Sequence, residues 1–425
     1  MPSPFPALVA LLSALLAAPA WALTLAEAME RAAENTEAGA LLRAETERSE
    51  ALSRAARAGY LPRLSASATL TRNDTEIRLG DRVTTQLYDA SAALTASADL
   101  FRAQVVGQAR SATREVDVQR ARARAERGAL RHAAAEAYLR ALAAGRNVEA
   151  AREARRSASE TLAEAAAREA TGFGVRADVA RARLALIEAQ TAEEDASAAL
   201  EDALLALGYL TGHEEVRLET LDLPSTLPWE AGAAAPERPA LLVSLDAQRQ
   251  LSEARLGAQW LDFFPSAALQ GQMHFGRSSL RAPEGRWWAL TLQLSWVLFD
   301  GARYGRLDAA RAEVALSDLR IAQEERRTSH ERQRRARALR RALAQELLAD
   351  EAIEVAEENR RLAAERLAAG VVTALDLTLA EEALFRARVR RSLATLDRQL
   401  ADLALAYLEG RLDAPFAPSP SPPQR

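Results

Sequence analysis

The chain has 425 residues, a formal net charge of -4, 27% charged residues and only 5% aromatic ones, and alanine and arginine predominate; that is the profile of long helices or coiled coil rather than of ordinary compact domains. It contains neither cysteine nor lysine, which excludes thiol nucleophiles, disulfides, thiolate metal sites, Schiff bases and the lysine of a phosphate-binding P-loop. The nearly balanced charge gives no global attraction to nucleic acid or anionic lipid.

In chain order, residues 1–22 read as a secretory signal. An apolar run over 7–18 is followed by Ala20, Trp21 and Ala22, an A-x-A cleavage pattern, and the run is shorter than the roughly 20 residues that span a bilayer. Its start carries no arginine, while Pro2, Pro4 and Pro6 argue against a buried helix. Without a cysteine at the cleavage point, a mature chain starting at Leu23 has no place for a lipid anchor. A first structural repeat is expected over 23–212: a helix over 24–59, a strand starting at Pro62, a polar loop, a second strand ending near Leu100, a very long helix over 102–170, a break at Gly172 and Gly174, and a helix over 178–211. A linker rich in proline and glycine follows over 213–238. The second repeat, 239–410, runs through the same order: a helix over 239–261, a strand from Pro265, the strand within WWALTLQLSWVLFDG at 287–301, a long helix over 302–369, a break at Gly370 and a helix over 376–409. Residues 411–425 form a proline-rich tail expected to be disordered. At 1.5 Å per residue each long helix would reach roughly 100 Å, a length no globular domain needs.

The two repeats are legible as a duplication. Leu100 aligns with Leu298, Gly172 with Gly370, Asp178 with Asp376, and LGYLTG at 207–212 with LAYLEG at 405–410, all about 198 residues apart. Upstream, Pro62 pairs with Pro265 at about 203, which places roughly five extra residues in a loop between 62 and 101. The last helix carries Val389, Leu393, Leu396, Leu400, Leu403 and Tyr407 at spacings of four and three, the seam of a coiled coil.

The four strands ask for more than coiled coil. Leu64, Ala66, Ala68 and Leu70 share one face of the first, and Ala92, Leu94, Ala96, Ala98 and Leu100 one face of the second. In the third these are Ala267, Leu269, Met273 and Phe275, and in the fourth Trp288, Leu290, Leu292, Leu294, Trp296 and Leu298. The opposite faces are polar, from Arg63, Ser65 and Ser67 to Thr291, Gln293 and Ser295. Strands of about ten residues with one apolar face and a tryptophan near each border suit the lipid face of an outer-membrane barrel; hairpins packed on the helices of a soluble domain give no reason for the paired tryptophans. Four strands cannot close a barrel, because an open edge in lipid leaves backbone groups unpaired, so copies must share it: two would give eight strands and three would give twelve.

With these features the chain resembles the outer membrane efflux proteins, the TolC-like outer membrane factors. The residues that carry the likeness are the opening LTLAEAMERAAENTEAG, the GYLP of the first strand, the SWVLFDGARYGRLDAARAE lead into the long helix, the GVRADVARARLALIEAQ and GVVTALDLTLAEEALFRAR breaks, and the duplication. The resemblance implies a mainly α fold with a membrane β-barrel: a homotrimer whose twelve strands, four per chain, continue into a coiled-coil tunnel through the periplasm. It further implies an export duct in the outer membrane of a Gram-negative cell, serving an inner-membrane transporter through a periplasmic adaptor, with no cofactor. In that scheme Asp376 faces the pore constriction and Asp178 acts as gate latch or helix cap. A second constriction aspartate of the family falls at Leu379, and the latch tyrosine and arginine fall at Leu367 and Val372, so that polar latch is missing.

Other chemistries have little support. The four histidines, His132, His213, His274 and His330, lack ligand spacing, so no metal site is expected. The basic run over 323–341 is interrupted by Glu324, Glu325 and Glu331 inside a long helix, which reads as a solvated face rather than a nucleic-acid site. No carboxylate pair stands out as a catalytic dyad. The alternative to a duct is a secreted or periplasmic coiled-coil scaffold without transport, which would need the helices but not the tryptophan-bordered strands.

Overall fold

The structure, a computed structural model, describes residues 22–34, 36–75, 77–79, 82–85, 88–172, 174–213, 216–218, 227–231, 238–278, 282–369 and 371–413. Residues 1–21 of the signal expected over 1–22, most of the stretch read as linker, Gly370 and the tail from 414 onward lie outside the described residues. The elements run β1 (Ala22–Leu23), α1 (Leu25–Glu34), α2 (Glu37–Ala58), β2 (Arg63–Arg72), β3 (Ile77–Leu79), β4 (Arg82–Thr85), β5 (Tyr88–Phe101), α3 (Ala103–Ala170) and α4 (Arg176–Thr211). There follow β6 (Arg217–Leu218), α5 (Pro228–Ala231), α6 (Ala240–Leu261), β7 (Ser266–Ser278), β8 (Ala282–Ser295), α7 (Gly301–Ala368) and α8 (Ala374–Leu408). The fold is mainly helical with one four-stranded antiparallel sheet, and the two long helices have 68 residues each.

Two boundaries differ from the sequence expectation. The first helix divides into α1 and α2, and Thr36 supplies the reason: its hydroxyl donates to the carbonyl of Ala32 at 2.9 Å and accepts from the amide of Gly39 at 3.4 Å, so one side chain serves both helix ends. The alternation read through Leu298 stops as a strand at Ser295. Its partner β7 starts at Ser266, immediately after Pro265, and a proline has no N–H to extend the ladder. Trp296 and Leu298 therefore follow the strand, and the Trp296 indole donates to the carbonyl of Phe263 at 3.0 Å.

The chain divides into two compact units, each built from both repeats. One unit, Arg43–Ala123 with Leu241–Glu324, holds the sheet in the order β2-β5-β7-β8. Beneath the strands the helices are tied in a row: Glu50 of α2 to Arg120 of α3 at 2.6 Å, Glu115 of α3 to Arg255 of α6 at 3.5 Å, and Arg249 of α6 to Asp318 of α7 at 2.6 Å. Small residues let this row close up, since a Cβ on Gly107 would stand 2.6 Å from that of Ala258.

The other unit holds the remaining helical segments and a core cluster in which Leu23, Met29, Leu139, Leu207, Leu403 and Leu412 are buried together. The described residues of the stretch between the repeats take part in it. Arg217–Leu218 pairs in parallel with Ala22–Leu23, and Trp229, 1% exposed, donates its indole N–H to Asp402 at 2.7 Å. Arg131, 2% exposed, grips both carboxylate oxygens of Glu30 at 3.0 and 3.2 Å and donates to the carbonyls of Leu412 and Asp413 at 3.2 and 3.3 Å. A buried guanidinium is tolerated there because all its sides are paired. Further along the unit the helices again form a row: Arg152 and Arg155 of α3 hold Glu193 of α4, Glu153 of α3 holds Arg388 of α8, and Arg391 and Arg398 of α8 hold Asp350 and Glu346 of α7.

Candidate functional site

Two regions hold the residues singled out by the sequence. The first is the sheet. Directly paired residues lie on one face, so the register decides whether the four separate alternations agree. They do: Leu64 pairs with Ala96, Ala66 with Leu94, Leu94 with Met273, Leu269 with Leu292, Ala267 with Leu294, Gly271 with Leu290 and Met273 with Trp288. One continuous apolar face results, with Leu292 66% and Trp288 77% exposed. The other face pairs Ser65 with Thr95, Thr95 with Gln272, Ser97 with Gln270 and Gln270 with Thr291. It borders a cavity of about 490 Å³ lined by Arg63, Asp99, Arg102 and Gln293, among others. Trp287 lies on this polar side and stacks on His274, ring centroids 4.1 Å apart. Strands β2 and β8 leave the two edges of the sheet without a partner among the described residues. Among those residues no helix is long and apolar enough to cross a membrane.

The second region is the turn between each long helix and the helix that returns from it. Gly172 follows α3 with φ +78°, the left-handed conformation that ends a helix at little cost only for glycine. At Gly174 a side chain has no room, since a Cβ would stand 2.6 Å from the amide of Glu169. Asp376 is the third residue of α8 and forms a capping box with Thr373. Its Oδ2 accepts from the Thr373 amide and from the Thr373 hydroxyl, both at 2.9 Å. These bonds, the backbone one first, hold its carboxyl below the ordinary aspartate value although it is exposed to water.

Asp178 stands at the equivalent third position of α4, but there the cap residue is Val175, which has no hydroxyl and makes no side-chain cap bond. Asp178 pairs instead with Arg181 at 3.3 Å, and the counterpart of Arg181 in the second repeat is the apolar Leu379. Duplication has thus left two aspartates in one place with different partners.

Sequence reasoning missed a set of polar ties near this turn. Arg168 donates to the carbonyl of Leu367 at 3.3 Å, a cation on the carbonyl end of α7. The hydroxyls of Ser157 and Thr161 donate to Glu381, and Arg388 reaches both Glu153 at 3.0 Å and Glu357 at 3.5 Å. They join α3 to α7 and α8, and Leu367 itself is buried. Serine and threonine four apart on an alanine-rich helix give no sign of this in the sequence.

A sheet that offers one apolar face and two open edges, carried on coiled-coil helices that turn back at glycine-marked breaks, defines the class of outer-membrane channels with a helical tunnel. Comparison with known proteins agrees. The family model of outer membrane efflux proteins matches residues 28–213 and 233–411. The fold is similar to VceC from Vibrio cholerae, with 19% identity, TM-score 0.76 and coverage of 91% of this chain and 96% of that one. It is also similar to the CmeC outer membrane channel of Campylobacter jejuni, with 18% identity, TM-score 0.77 and coverage of 93% and 87%. For the MtrE outer membrane channel of Neisseria gonorrhoeae the values are 20%, 0.75, 91% and 88%. Comparison with curated protein sequences finds no match. The chain belongs to the outer membrane efflux protein family. It is an efflux channel of the Gram-negative outer membrane, not an enzyme.

Proposed function

We propose that the chain is the passive outer-membrane duct of a tripartite efflux or type I secretion system, opened by a periplasmic adaptor and fed by an inner-membrane transporter. The observation that carries this reading is the single apolar face shared by all four strands, next to a polar face over a cavity. In lipid the free edges of β2 and β8 would leave amides and carbonyls unpaired, so the sheet is completed by further copies. Two copies would make about eight strands, whose interior side chains fill, whereas three make about twelve and leave a passage. The duct is therefore a homotrimer. Trp288, Leu290, Leu292 and Leu294 face lipid, and Trp296 and Leu298 lie at the border where the strand gives way to the helix. Gln293 and Thr291 face the lumen.

Threefold symmetry repeats the Asp376 carboxylate around one axis and makes a cation-attracting ring at the constriction. The capping box supports this, because it keeps the group ionised and fixed in direction. Asp178, paired with Arg181, serves its own helix rather than the ring. Native mass spectrometry of the detergent-extracted protein, with planar-bilayer recording of the same sample, tests the reading. Three chains and a stable conductance are expected. A soluble monomer or dimer without conductance would replace the duct by a coiled-coil scaffold.

A further inference from the structure

Where the strands meet the helices, the polar face of the sheet ends in a patch whose charged residues all come from the first repeat. Two neighbouring rungs of the ladder define it. One sets Arg63 of β2 beside Ser97 of β5, Gln270 of β7 and Thr291 of β8, and the next sets Asp99 beside Ala268 and Gln293. Arg102, between the end of β5 and the start of α3, pairs with Asp99 at 3.1 Å. By the offsets of the duplication, the second repeat holds Ser266, Val297 and Asp300 where the first has Arg63, Asp99 and Arg102, so the two cations have no counterparts there.

These residues belong to one compact unit and line the cavity of about 490 Å³ on the polar side of the sheet. Its floor is Ala268, which brings only a methyl group, so the larger side chains around it form the walls. Arg63, Asp99 and Arg102 stand on one side and Thr291 and Gln293 on the other, with Gln270 beside the floor. From Asp99 to Gln293 the backbone steps across two strand spacings, ~10 Å. Asp99 and Arg102 largely neutralise each other. Arg63 has no acidic partner among the described residues, so each chain brings a net positive charge to the cavity.

The two walls differ in what they can bind. A guanidinium presents its donors as a planar fork that matches both oxygens of a carboxylate, and it is more weakly hydrated than an ammonium group, so it loses less on leaving water. The facing amides of Gln270 and Gln293 and the hydroxyl of Thr291 each both donate and accept, which is what a hydroxyl group needs from its surroundings. A fixed cation facing neutral two-way hydrogen-bonding groups across ~10 Å of strand spacing suits a molecule with a carboxylate at one end and hydroxyls along its length.

We propose that this cavity is a subsite for hydroxylated carboxylates, sugar acids by class, in which Arg63 holds the carboxylate and Gln270, Thr291 and Gln293 hold the hydroxyls. The Asp99–Arg102 pair tunes it, because the Asp99 carboxylate occupies Arg102 and repels an entering anion. The subsite rests on the duct of the preceding subsection, in which this face of the sheet lines the passage.

Gluconate serves as the probe, with sorbitol as a neutral polyol of the same length. In planar bilayers at fixed ionic strength, gluconate should block the conductance in a saturable way and sorbitol should not. Arg63→Gln should raise the half-blocking concentration about tenfold, the loss expected of one hydrogen bond to a charged group. Asp99→Asn keeps an acceptor for Arg102 but removes the competing charge, and should lower that concentration severalfold. A general change of potential in the lumen would alter chloride permeability by the same factors, so the chloride-to-potassium permeability ratio is measured for each variant. Half-blocking concentrations that both substitutions leave unaltered, or that follow chloride permeability step for step, would overturn the subsite and leave the duct standing. A sample without conductance would overturn the duct and the subsite with it. Isothermal titration calorimetry of gluconate into the detergent-extracted parent and Arg63→Gln proteins repeats the comparison without current, and equal affinity for both also counts against the subsite.

Discussion

Asp376 and Asp178 occupy one position in two copies of the same motif, and their surroundings assign them different work. The Thr373 amide and hydroxyl stabilise the charged form of Asp376, so its carboxyl titrates below the ordinary aspartate value. A depressed carboxyl favours the folded cap above the unfolded value and loses that contribution as pH falls through the folded one. In single-channel recordings, cation preference should therefore persist through the usual carboxylate range and fade only at lower pH. Replacing Thr373→Val copies the first-repeat cap and should shift that loss to higher pH. Asp376→Asn keeps an acceptor for the cap but removes the charge, and should weaken both cation preference and block by multivalent cations at neutral pH, the difference from the parent channel vanishing once the Asp376 carboxyl is protonated, whereas Asp178→Asn should change little. Selectivity unchanged by Asp376→Asn would reduce the residue to a helix cap. A second residue-scale expectation concerns Arg131, which is almost wholly buried against Glu30 and two carbonyls. Arg131→Ala removes the donor these acceptors share and should cost about 3 kcal/mol, read from denaturant unfolding of detergent-solubilised protein.

At the scale of elements, β8 provides the sharpest contrast, because neighbouring residues differ only in which face they take. Arginine at Leu292, near the middle of the apolar face, should cost about 2 to 4 kcal/mol and lower the yield of assembled protein, while arginine at Gln293 should be tolerated. Equal yields would place the sheet outside lipid. The faces of all four strands could be read from alternation, because the period of two survives any error in the ends. The ends could not. The ladder stops where Pro265 denies its partner a donor, which is a property of β7 and cannot be seen in β8 alone. The small β3–β4 hairpin lies where the sequence indicated only extra loop residues, since strands of 3 and 4 residues are too short for an alternation to stand out. The division of the first helix at Thr36 was hidden for a related reason: one hydroxyl serving two helix ends leaves the helical period intact on both sides. Around the breaks, Gly172, Asp178 and Asp376 were visible through the duplication. Arg168 and Glu381 were not, because their partners are about 200 to 220 residues away and include a backbone carbonyl.

At the scale of the molecule, the repeat describes how the chain is written and the compact units describe how it folds. Each unit takes residues from both repeats, because the sheet order places β5 against β7 and each long helix contributes to both units. Periodicity along the sequence gives no information on such pairings, which join residues about 170 positions apart. The core around Arg131 carries the same logic to its limit and constrains the timing of folding. Leu23 and Met29 share one cluster with Leu403 and Leu412, and the guanidinium that locks Glu30 also needs the carbonyls of Leu412 and Asp413. A chain that emerges from a translocation pore in sequence order cannot complete this lock until residue 413 has crossed. A chain ended after Gly410 should therefore remain open to limited proteolysis within α3, although every strand and every residue of the breaks is still present.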